Sequence, residues 1–144
     1  MKKLSFGLII AIMFSTFSFG QKKSTSARIA TSGDPVNTNL YDQAISDNVD
    51  AAIVLLDDLK LNNPNYLNYE AVIHCSIIDG VELESSTVVS LIGTNITTSK
   101  KQHCQICGLM SAKRCVGQIR DSNLGNDYDI HVHNDGGGCV TLSW

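Results

Sequence analysis

Residues 128–144, YDIHVHNDGGGCVTLSW, decide what kind of fold this chain makes. Tyr128, Ile130 and Val132 alternate with polar residues, and Val140, Leu142 and Trp144 do the same beyond a glycine-rich turn. Successive side chains of a strand point to opposite faces, so period two reads as β-structure. A turn over residues 134–138 then closes a hairpin that puts all six apolar side chains on one face. The other face carries His131 and His133, with Cys139 expected across from His133.

The same pattern occurs upstream. Residues 69–78 and 81–92 are rich in β-formers and are joined by Asp79-Gly80, a strong hairpin signal. A two-residue turn would set Cys75 opposite Glu84, mixing an apolar face with charge, so a bulge or a longer loop is expected there. Ile73-His74 ahead of Asp79-Gly80 echoes Ile130-His131 ahead of Asp135-Gly136. The echo points to a duplicated αββ unit.

A helix precedes each hairpin. Tyr41, Ile45, Val49, Ala52, Leu56 and Leu59 recur at three- and four-residue steps, with Asn39 as the expected cap and Asn62-Asn63-Pro64 as the stop. Ile106, Leu109, Ala112, Val116 and Ile119 support a second helix over residues 105–120, after a loop at 93–103. The expected fold is therefore α+β: two αββ units forming a mostly antiparallel four-stranded sheet, with both helices on one face.

The N-terminus reads as an export signal. Lys2 and Lys3 precede an apolar run over residues 4–14, and Ser18 and Gly20 supply the small side chains a signal peptidase needs before Gln21. The apolar run falls short of the roughly 20 residues that span a bilayer, so no membrane span is expected after cleavage. This divides the chain into a signal peptide at 1–20, a flexible leader at 21–36 and one small α+β domain at 37–144. The mature chain keeps nine basic and 14 acidic residues, a net charge of −5 that argues against nucleic acid as a partner.

Five cysteines in an exported chain point to disulfides, and an odd number leaves at least one over. The candidates are Cys104, Cys107, Cys115 and Cys139, with Cys75 fitting a buried apolar position. On one continuous helix, Cys115 would stand roughly 12 Å or more from Cys107 and Cys104, too far to bridge. The preferred link therefore runs from the second helix to Cys139.

Two clusters could carry chemistry. Cys104-Gln105-Ile106-Cys107 at a helix start has the spacing of a thiol oxidoreductase, although a lone CxxC is a weak signal. His131, His133 and Cys139 could hold Zn or Cu, with His74, His103, Cys104 or Cys107 completing the set. Neither is a full catalytic signature. The leading expectation is a non-enzymatic, exported binding or interaction module, periplasmic or secreted, whose partner is a protein or small ligand. The extracytoplasmic metal binder and the thiol oxidoreductase are its alternatives.

Overall fold

The computed structural model describes residues 23–93, 102–108 and 112–144. The expected signal peptide lies outside the described residues. Strands β1 (Lys23–Arg28), β2 (Tyr69–Ile78), β3 (Glu82–Leu91), β4 (His103–Cys107), β5 (Asp127–Gly136) and β6 (Cys139–Ser143) form one sheet, and the helices are α1 (Thr38–Asn62) and α2 (Lys113–Asp121). The strand order is β1-β3-β2-β5-β6-β4, and every neighbouring pair is antiparallel.

The fold is α+β as expected, with six strands where four were expected. Both additions lie at the sheet edges. Lys23–Arg28 falls within the expected flexible leader, yet it pairs with β3 from Lys23↔Thr87 to Arg28↔Glu82. Its composition is polar because it is an edge strand, where period-two burial is weak. The residues that follow, Ile29 and Ala30, are buried, and both donate backbone N–H bonds to Val81 O (2.8 and 3.2 Å). The expected second helix divides: residues 103–107 are strand β4, and the helix starts only at Lys113. Cys104 and Ile106 fit period two as well as Ile106, Val116 and Ile119 fit the helical period. Pairing with β6 decides in favour of the strand, because it satisfies backbone groups that β6 would otherwise leave unpaired.

The chain thus runs β-α-β-β twice, β1-α1-β2-β3 and then β4-α2-β5-β6. The two halves meet at β2 and β5, where Ile73 pairs with Ile130. Their hairpins share one register: His74 faces Ser86 in the first, and His131 faces Ser143 in the second. The pair Val72↔His131 is likewise mirrored by His74↔Asp129 on the other side of Ile73↔Ile130. The sheet has the order of a pseudo-two-fold arrangement about that isoleucine pair.

The bulge expected in the first hairpin is Val81. Asp79 and Gly80 both have positive φ (52° and 72°), and Val81 N–H closes the turn on Ile78 O at 3.0 Å. Val81 itself is extra, so Glu82 pairs with Ile78 and Cys75 comes opposite Ser85 instead of Glu84. The charge leaves the apolar face.

That face packs against the helices. Tyr41, Ile45, Val49, Ala52 and Leu56 of α1 and Cys115, Val116 and Ile119 of α2 are buried with Ala71, Ile73, Leu83, Ile130, Val132 and Leu142 of the sheet. Fully burying an aliphatic side chain contributes about 1.5–3 kcal/mol, which makes this layer the main source of stability. The α1 cap is Asn37, two residues before the expected one: its Oδ1 accepts from Asn39 N–H and Leu40 N–H (3.0 and 3.2 Å). A polar seam crosses the core edge, where Thr25 hydrogen-bonds both Asn48 and Ser85.

Candidate functional site

The helices leave the second face of the sheet to other side chains. Alternation places Ser24, Ser26 and Arg28 of β1 there, with Glu82, Glu84 and Ser86 of β3, and His74 and Ser76 of β2. Asp127, Asp129, His131, His133 and Asp135 of β5 continue the face, followed by Thr141 of β6 and His103 and Gln105 of β4. All four histidines therefore share it. Three of them pair with a carboxylate. His74 Nδ1 lies 2.6 Å from Asp129 Oδ1, His131 Nδ1 3.2 Å from Glu70 Oε2, and His133 Nδ1 3.0 Å from Asp135 Oδ1.

These pairs differ in surroundings. His131 and Glu70 are buried, their side chains only 3% and 2% exposed, and Val72 beside them is buried too. His133 reaches Leu67 O with Nε2 (3.2 Å), so the 3-10 turn Tyr66–Asn68 lies against this end of the face. The other end is open. There, Ser24, Ser26, His74, Ser76, Glu84 and Ser86 line a shallow groove of about 490 Å³. Ser76 Oγ–H donates to Asp127 Oδ1 (2.5 Å), and Ser26 Oγ–H donates to Glu82. At Asp135, burial raises the carboxyl pKa, but hydrogen bonds from Gln105, Thr141 and His133 outweigh it and bring the group below its ordinary value.

The structure does not bring the expected metal ligands together. Cys139 pairs with Gly136 after a bulge at residues 134–136, and Thr141 takes the place across from His133. Its sulfur is bonded to Cys107, which removes two thiolates from the donor set at once. Cys104 is bonded to Cys115. His103 and His74 stand on other strands, and among the described residues no three His, Cys, Asp or Glu side chains are arranged to hold a metal.

The oxidoreductase reading meets the same disulfides. Cys104 and Cys107 are three apart on a strand, so they point to opposite faces and cannot bridge each other. Cys104 turns toward α2 and Cys107 toward β6. Cys115 bridges Cys104, the pairing a continuous helix would have forbidden, because the two residues stand on separate elements, α2 and β4. Cys139 is an acceptor as expected, but its partner comes from β4 instead of the helix.

Cys75 is the free cysteine among the described residues, and it is buried. Burial pushes its thiol up to about 12, a rise that a hydrogen bond from Tyr128 only partly offsets. Burial likewise raises the phenols of Tyr128 and Tyr41. The sign of the linkage follows: a raised folded-state pKa gives stability that is complete below the unfolded value near 9 and is lost as pH climbs to 12. Folding stability should therefore decline across pH 9–12, at up to about 1.4 kcal/mol per pH unit for the thiol. Urea denaturation at pH 8, 10 and 11 measures this. Cys75→Ala should flatten the slope, and an equal slope in that variant would exclude the thiol as its source.

The open serine- and carboxylate-lined end of the face, residues 24–28, 74–76, 82–86 and 127–129, was not singled out from sequence. The signal was there as alternation in β3 and β5, but polar residues alternating with apolar ones also describe any solvated strand. Compared with known proteins, the chain matches no family model, no curated protein and no solved structure.

Proposed function

We propose that the chain is an exported, disulfide-stabilised binding module whose open sheet face receives a cationic segment of a protein partner. One observation carries the reading: at the open end of that face, Glu82, Glu84, Asp127 and Asp129 stand against Arg28, the single guanidinium there among the described residues. The serine hydroxyls between them both donate and accept, which suits the polar groups of a peptide as well as its charges. Export is supported by the three-part N-terminal pattern and by two disulfides. No helix among the described residues is long and apolar enough to cross a membrane.

Binding of an octalysine peptide, followed by fluorescence anisotropy at low and moderate salt, tests the proposal. Wild type should bind it and not octaglutamate, more weakly as salt rises. Each exposed pairing contributes about 0.2–1 kcal/mol, so Glu84→Gln with Asp127→Asn should weaken binding about fivefold. Asp47→Asn with Asp58→Asn, on the exposed side of α1, is the control for net charge alone. Equal losses in the two double variants would refute the face-specific reading, as would equal binding of both peptides.

A further inference from the structure

A second cavity lies at one end of the molecule, where α1 begins, α2 ends and the chain enters β5. Its volume is about 340 Å³, within the usual range for small-molecule sites. Ile77, Ile119 and Leu124 supply an apolar lining, Tyr41 and Tyr128 supply hydroxyls, and Arg120 stands beside them.

The two hydroxyls form one hydrogen-bonded pair. Tyr41 Oη lies 2.5 Å from Tyr128 Oη, and either hydroxyl can donate. Two phenols hold two protons, and the link between them uses only one. One proton is always left over. Both phenols line the cavity, while Cys75, across from Tyr128 on β2, is buried in the core between the sheet and α1. When Tyr128 donates to Tyr41, the Tyr41 proton is the one left free, and it turns into the cavity with no heavy atom moving.

Charge narrows the ligand further. Arg120 is already engaged: Nη1 donates to Asp42 and Nε donates to Asp121 Oδ1 (3.1 Å). Two carboxylates thus surround one guanidinium, and an added anion would meet a net negative neighbourhood. We infer that this cavity binds a small, neutral, apolar molecule bearing a carbonyl oxygen, such as a ketone or lactone. The oxygen accepts the Tyr41 proton, and the alkyl part lies on Ile77, Ile119 and Leu124.

Amide NMR titration of the oxidised protein with 2-octanone and δ-nonalactone, against octanoate, is the test. Both neutral probes should shift the amides of Thr38, Leu124 and Asn126, with octanoate at least fivefold weaker. Loss of one hydrogen bond is about 0.5–1.5 kcal/mol, so Tyr41→Phe should weaken the ketone roughly two- to twelvefold. Leu124→Gln, at a partly exposed position, should weaken it without the core change. The proposal fails if the probes shift nothing up to their solubility, or if the shifts lie elsewhere. It fails equally if octanoate binds as well, or if Tyr41→Phe binds as wild type while keeping a dispersed spectrum.

Discussion

Reduction of both disulfides is expected to lower the melting temperature more than any single side-chain change in this protein. Cys104–Cys115 closes a loop of sequence separation 11, and Cys107–Cys139 one of 32. In the chain-entropy account, a loop of about 15 residues gives about 3 kcal/mol and one of 100 about 4.7, so the pair should contribute on the order of 6 kcal/mol. Domain stabilities of about 5–15 kcal/mol leave little once that is gone. The elements concerned have few other supports. β4 is an edge strand of five residues held by β6 alone, and α2, with nine, is shorter than the roughly 12–15 residues a helix needs by itself. Melting curves with and without reductant give the total, and the paired variants C104S/C115S and C107S/C139S separate the two bonds. Each pair should lower the midpoint by about 10 °C or more. A reduced protein that melts within a few degrees of the oxidised one would show that packing holds β4 and α2 without the cross-links.

The second large effect is expected at His131. Its imidazole and the Glu70 carboxyl are both buried on the face away from the helices. Removing one partner of a buried hydrogen-bonded pair takes a contact from the other, at a cost of about 1–3 kcal/mol, whereas replacing both is often close to neutral. His131→Leu should therefore destabilise strongly in urea denaturation, and His131→Leu with Glu70→Leu should recover at least half of the loss. If the double variant is no better than the single, the two side chains are not energetically coupled. That result would point instead to Glu70's other contacts as the reason for its burial.

The contrast between His74 and His131 shows what was readable from the sequence alone. The echo of Ile-His before Asp-Gly located equivalent positions in two halves, and the structure gives them one register. Alternation put His131 and His133 on one face, and the strand pairing keeps them there. Nothing in the alternation says that His131 is buried and His74 half-exposed, because that depends on what lies over each end of the sheet. Residues 105–120 were misread for a related reason. Ile106 serves both periods, and the pairing that resolves the conflict comes from β6, more than 30 residues away. The edge strand Lys23–Arg28 carries almost no apolar pattern, so only its partner β3 reveals it. Once residues 104 and 107 are placed on a strand, opposite faces follow from geometry, and the actual disulfide partners become accessible.

Both cross-links join β4, α2 and β6, whereas β1, β3 and β2 are held by hydrogen bonds and packing alone. Under tension applied along the chain, those two regions would behave as different materials. The first half can unravel to full contour length, while residues 104–139 remain a closed covalent ring system that pulling cannot straighten. The extension available to a stretched molecule is then set by the thiol–disulfide chemistry of its surroundings, and a reducing medium would lengthen the same tether without changing its sequence.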